Sequence, residues 1–334
     1  MMKKIYFILL GACIALGSCS TGDAASAAQM AGGSSQALLY LNCRAVSEDE
    51  IEFEFSRPVT VKSLNFEPAV QIASIQNGNT VRVTLEEKTG PGMLFTADLI
   101  AEDEKKNTIN VIVSLRSRNN RMPKLVINEL CTESATVTAG KKEEFIELKM
   151  LSAGNLGAMR VFILGNTNAA KQTIYEFMPV EVRANDYVVL HLRKWDELCR
   201  DEYGDNLDLS RSVNSSPNAR DFWIPGDAKL MQKRATTVYV LDQDDRVLDA
   251  VMLSETAGAL WERDYFAEAA NFLFNQGAWK SPDGGICRPA DAVISAGSTN
   301  TKTICRNETK NNSNTAADWY ITVTSGATPG GRNK

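Results

Sequence analysis

Glu50-Ile51-Glu52-Phe53-Glu54-Phe55 alternates acidic and apolar residues without a break. Successive side chains of a strand point to opposite faces, so this run predicts one dry face (Ile51, Phe53, Phe55) and one wet face of three glutamates. The same two-residue period returns at Val81, Val83 and Leu85, at Phe95, Ala97 and Leu99, and at Ile109, Val111, Val113 and Leu115. Asn77-Gly78-Asn79 and Gly90-Pro91-Gly92 fall between these runs and carry turn chemistry. Several short strands at this spacing predict a small antiparallel β-sandwich over residues 37–118. The polar, basic stretch Arg116 to Pro123 (RSRNNRMP) follows and is read as a solvated linker between two units.

The run from Ile51 to Leu64 (IEFEFSRPVTVKSL) resembles bacterial immunoglobulin-like modules. Beyond the linker, Leu125-Val126-Ile127-Asn128-Glu129-Leu130 is followed by Glu144-Phe145-Ile146-Glu147-Leu148. Near the far end stand Ile304-Cys305-Arg306-Asn307, then Ala317-Asp318-Trp319, then Thr328-Pro329-Gly330 with Asn333. This ordered set resembles the lamin-tail domain, an immunoglobulin-like sandwich, and the resemblance spans Leu125 to Asn333. It implies early strands at Val126 to Leu130 and Phe145 to Leu148. It also implies a core role for Trp319, an end to the closing strand at Thr328-Pro329-Gly330, and structural hydrogen bonds for Asn128, Glu129, Glu147 and Asp318. Lys149 departs from the family, in which an asparagine is common just after the Glu-Leu step. The fold expected is therefore mainly β: two antiparallel, Ig-like β-sandwich domains, the second over 124–334.

Two insertions enlarge the second domain. Lys194 to Tyr203 (KWDELCRDEY) predicts a helix near 194–205. Leu260, Trp261, Tyr265, Ala269, Phe272 and Leu273 recur at spacings near three and four, predicting another within 255–276. Phe222, Trp223 and Trp261 are the aromatics that, if exposed, would form a binding surface.

The N-terminus begins with Met1-Met2-Lys3-Lys4 and an apolar run from Ile5 to Leu16. This is the pattern of a secretory signal over residues 1–18, too short to span a membrane as a helix. It closes on Leu16-Gly17-Ser18-Cys19, which resembles the lipobox of bacterial lipoproteins. The resemblance implies cleavage between Ser18 and Cys19, a diacylglycerol on the Cys19 sulfur and anchoring in a membrane. Acyl chains contribute about 0.8 kcal/mol per buried methylene, so two or three hold a protein at a bilayer almost irreversibly. Residues 19–36, rich in Ala, Ser and Gly, read as a flexible leash. Ser20 after the cysteine implies, by resemblance to the enterobacterial sorting pattern, passage to the outer membrane, with the periplasmic or surface face left open.

The signal carries Lys3 and Lys4 but no acidic residue, so the mature chain holds 34 basic against 41 acidic side chains, a net charge near −7. That balance argues against a general nucleic-acid binder. Five cysteines remain after Cys13 and Cys19: Cys43, Cys131, Cys199, Cys287 and Cys305. An odd number leaves at least one unpaired within the chain, and the closest pair, Cys287 and Cys305, is the candidate disulfide, with buried free thiols as the alternative. The single histidine, His191, lies in the apolar run Tyr187 to Leu192, which leaves no HExxH zinc motif. Asp242, Asp244, Asp245 and Asp249 lack the glycine and distal glutamate of an EF-hand and predict a hairpin turn. The sequence calls for no cofactor, no metal and no catalytic set. It points to a tethered, non-enzymatic envelope module that binds a protein or glycan partner or has a structural role. The alternatives are an exported hydrolase or nuclease-associated protein with a site built from acids of the insertions, and a polysaccharide or nucleic-acid binder stacking its ligand on Phe222 and Trp223.

Overall fold

The computed structural model describes residues 37–165 and 172–334 and is mainly β, as the alternation predicts. The signal, Ser18, Cys19 and the leash lie outside the described residues.

The first unit holds β1 (Tyr40–Ala45), β2 (Glu50–Glu67), β3 (Ile72–Gln76), β4 (Gly78–Leu85), β5 (Leu94–Asp103) and β6 (Thr108–Arg116). The first part of β2 pairs with β1 and β4, and the part from Val59 pairs with β5. The register slips between Glu54 and Val59, across Ser56-Arg57-Pro58. Proline withholds a ladder donor, and a strand that shifts partners this way makes a corner of the sandwich. Phe53, Phe55, Val81, Val83, Phe95, Ala97 and Leu99 fill the core between the two halves. Glu52 differs from the wet-face expectation. It is buried under Arg44 and Arg82, each donating to its carboxylate at 2.9 Å, and the Arg44 bond foremost holds it below the usual carboxylate range.

The second unit builds one sheet from β7 (Leu125–Cys131), β10 (Phe145–Met150), β15 (Tyr187–His191), β16 (Ala219–Trp223), β20 (Ile304–Arg306) and β21 (Trp319–Ile321). Its order is β16-β15-β10-β7-β20-β21. The facing sheet runs β13-β12-β17-β18-β19, from β12 (Arg160–Gly165), β13 (Gln172–Glu176), β17 (Ala235–Leu241), β18 (Val247–Ser254) and β19 (Val293–Ile294). Two small hairpins complete it: β8 (Ala135–Val137) with β9 (Gly140–Lys142), and β11 (Gly154–Asn155) with β14 (Glu181–Val182). Ile127, Leu130, Ile146, Leu148, Leu190, Phe222, Val238 and Val251 meet in one core between the sheets. No buried residue of this core belongs to the core of the first unit.

The sheets are not purely antiparallel. β15 pairs parallel with β16, and β18 pairs parallel with β19. A parallel pair needs a long crossover, and the two insertions supply one each. The second crossover carries the helix α1 (Asp264–Asn275), which turns Phe266, Ala269, Ala270 and Leu273 onto β17 and β18. Trp279 follows, fully buried, its indole N–H bonded to the Asp291 carbonyl at 3.0 Å. The first crossover contradicts its expected helix: residues 194–205 form bends and turns. The cause is Glu202, whose buried carboxylate accepts the amides of Leu209 (3.0 Å), Ser210 (3.1 Å) and Asp221 (2.9 Å). Asp201 accepts the amide of Trp223 at 2.8 Å. The loop thus satisfies donors along the outer edge of β16, which an unpaired edge would leave open.

The joint between the units is tighter than a solvated linker. Ser117 and Asn119 are buried. The Asn119 side-chain amide donates to the carbonyls of Asn155 and Gly157, both at 2.8 Å. Arg116, Arg118 and Arg121 pair with Glu176, Asp244 and Glu181 of the second unit. Gly92 of the first unit lies so close to Gly157 that a Cβ there would stand 2.4 Å from the Gly157 carbonyl carbon.

Candidate functional site

Three places gather the chemistry-bearing side chains. The first is His191, at the end of β15 on the face turned away from the main core, opposite Phe145 of β10 and Trp223 of β16. Its Nε2 lies 2.9 Å from Asp221 Oδ1, and its Nδ1 lies 2.8 Å from Glu143 Oε1, the latter a charge contact off the hydrogen-bond line. Trp223 stacks on the ring at 4.0 Å between centroids and 12° between planes, its own N–H bonded to Ser210 Oγ at 2.9 Å. Burial opposes the charged ring, but the bond to Asp221 and the close Glu143 carboxylate outweigh it and raise the imidazole pKa to about 9. At neutral pH both ring nitrogens therefore carry protons, and the ring has no exposed surface. Such a group can accept no proton from a substrate; it is a buried cation that ties three segments together.

The second place is a clasp. Asn128 and Glu129 of β7 and Glu147 of β10 are fully buried. Thr328 donates its amide to Glu129 at 3.1 Å, Gly330 its amide to Glu147 at 2.7 Å, and Asn333 its side-chain amide to the Asn128 carbonyl at 3.0 Å. Glu308 joins them, accepting from the Asn333 amide at 3.0 Å and pairing with Lys149. Burial pushes the Glu129 carboxyl up and the Glu147 carboxyl up further. Gly330 sits at φ +75°, where a side chain would strain the backbone and meet Ser216 Oγ at 2.6 Å. Thr328-Pro329-Gly330 therefore does not end a strand, since the closing strand β21 stops at Ile321. It crosses the sheet as a bonded strap.

The third place is a notch of about 320 Å³ on the helical crossover, lined by Arg234, Ser254, Glu255, Leu260, Trp261, Glu262 and Pro289 among others. Trp261 is half-buried and Leu260 stands 86% exposed.

Of the aromatics singled out from sequence, Trp261 alone borders an open concavity. Phe222 and Trp223 are buried, Phe222 in the core between Phe177 and Tyr203 and Trp223 on His191. They cannot be a stacking platform. Cys287 and Cys305 are not bridged: all five described cysteines are free. Cys287 packs in the core beside the crossover, while Cys305 points toward Thr303 and Glu129 on the clasp side of its sheet. Asp242, Asp244 and Asp245 form the β17–β18 turn, whereas Asp249 is buried in an ion pair with Arg306 at 2.6 Å. Arg306 lies over the ring of Trp319, which is buried. Asp318 caps its own turn, accepting from the Ser313 amide at 2.9 Å and the Thr315 amide at 3.3 Å. Among the described residues no group of three His, Cys, Asp or Glu side chains is placed to hold a metal ion, and no helix is long and apolar enough to cross a membrane. Sequence reasoning missed Glu143, Asp221 and Glu308. Glu143 and Asp221 flank apolar runs whose register alone brings them to His191.

A family model named TP_1001_2nd and described as a protein second domain matches residues 123–321, more than half of the chain. The chain belongs to this family. The TP_1001_2nd match begins in the joint and takes in the His191 cluster and the Trp261 notch, while the strap residues 328–333 lie beyond it. An uncharacterized protein of Treponema pallidum (strain Nichols) is 25% identical over 190 residues, 54% of this chain and 46% of that relative, so the chain spans about half the length of the curated relative it matches. Among solved structures, a DUF4876 family protein from Bacteroides thetaiotaomicron VPI-5482 is similar at 12% identity and a TM-score of 0.32, covering 80% of this chain and 94% of that one. The N-terminal part of the bacterial S-layer protein SbsC is similar at 13% identity and a TM-score of 0.24, covering 49% and 47%.

Proposed function

We propose that the chain is an exported lipoprotein, tethered to a membrane through a lipid on Cys19, whose second unit is a lamin-tail-like sandwich that binds a partner and catalyses nothing. The observation that carries the tether is Leu16-Gly17-Ser18-Cys19 standing at the end of the Ile5–Leu16 apolar run. Ser20 supports delivery to the outer membrane. The binding reading is supported by the side chains that could do chemistry. His191 is a buried imidazolium, and Glu129 and Glu147 are closed under the strap. A catalytic group needs reach to a substrate proton, which these groups lack. The notch at Trp261 is open.

Palmitate labelling of the native protein tests the tether. Label is expected on the wild type and lost both with Cys19→Ala and when lipoprotein maturation is blocked. Label that survives both overturns the reading.

A further inference from the structure

We propose that the notch beside Trp261 is a binding site for a neutral saccharide. The inference rests on the binding reading above and gives it a ligand class. The Trp261 indole is held in place, its N–H bonded to the Cys287 carbonyl at 3.0 Å and its ring packed against Phe266 at 5.9 Å between centroids. Leu260 and Pro289 extend this wall, and Leu260 has almost no protein around it. Across the notch, Arg234 donates both Nε (3.0 Å) and Nη2 (2.9 Å) to the same oxygen of Glu262. The other Glu262 oxygen and the Arg234 Nη1 amine stand outside that bond. Glu255, Ser254 and Thr256 complete the polar side.

The balance of charge decides the ligand class. Arg234 is matched by Glu262, and Glu255 lies 3.9 Å from Lys233, so the notch favours neither an anion nor a cation. A purely apolar ligand would strip water from the exposed Arg234–Glu262 pair without replacing it. A sugar meets both sides. Its C–H face lies on the indole and the leucine, and its hydroxyls each donate and accept, matching a rim that mixes donors with acceptors. A notch of about 320 Å³ is at the small end of ligand pockets and suits a ring or two rather than a protein element.

The test is saturation-transfer NMR on the purified full chain with chitotetraose, cellotetraose and maltotetraose. Transfer to the ring protons of at least one is expected. It should disappear in Trp261→Ala and in Leu260→Asp, a change at an exposed position that leaves the core intact. Glu262→Ala is expected to weaken binding about fivefold to tenfold, the loss of one or two hydrogen bonds. Transfer that persists in both Trp261→Ala and Leu260→Asp overturns the site. Absence of transfer from all three sugars overturns the ligand class; if Leu260→Asp still strips a protein partner from an envelope pull-down, the binding reading stands without it. A flat result in both experiments overturns both.

Discussion

His191 is held by charge on two sides, and its protonation is coupled to folding. The ring titrates at 6.5 in an unfolded chain and at about 9 in the folded one. Its contribution is therefore complete below pH about 6.5 and is lost as pH rises through 9, on the order of 3 kcal/mol in all. Thermal melts should fall steeply between pH 7 and 10, and His191→Gln should be less stable at neutral pH with a flatter profile. Because the sequence holds one histidine, the two ring ¹⁵N signals of its imidazole read the site directly. A midpoint near 6.5 would remove the buried-cation account. Sequence alone placed His191 in an apolar strand but could not find its partners: Asp221 is 30 residues away and arrives only through the parallel pairing of β15 with β16.

The elements show which patterns are legible in a sequence and which are not. Period-two alternation is local, so Ile51, Phe53 and Phe55 marked β2, and Val81, Val83 and Leu85 marked β4, without knowledge of any partner strand. The spacing of Ala269 and Leu273 likewise pointed to α1, though its start at Asp264 falls nine residues after the expected one. The expected helix at 194–205 failed for a different reason. Its residues have adequate helix propensity, but Glu202 offers three backbone amides a better acceptor than a helix would. Phe222 and Trp223 misled in the opposite direction, because Arg220-Asp221 before them and Pro225-Gly226 just after them hid their place in a short buried strand. The resemblance, rather than any periodicity, marked Glu129 and Glu147 as hydrogen-bonded structural acids, but it took Thr328-Pro329-Gly330 for a strand end and so missed the strap that bonds them. Within α1, Phe266→Ala removes a fully buried ring from between the helix and the sheet. It should cost about 3–5 kcal/mol in chemical denaturation, and a loss below 1 kcal/mol would mean that the helix is an appendage rather than a wall of the core.

At the scale of the whole molecule, the joint fixes one unit against the other. Gly92 has φ +68° and touches the Gly157 backbone, so Gly92→Ala is strained in conformation and in space. It should cost about 1–3 kcal/mol and free the units to move, seen as a larger and broader radius of gyration in solution scattering. An unchanged scattering profile would mean that the arginine pairs and Asn119 alone suffice. The strap has a further consequence, one of timing. Thr328 meets Glu129 across 199 residues, and Asn333 meets Asn128 across 205. As the chain emerges from the ribosome, β7 and β10 are made early, yet the donors that cover their buried acids come last. Contacts this distant in sequence form slowly. The second unit therefore stays incomplete until residues 328–333 have been made, while the first unit is already free to fold.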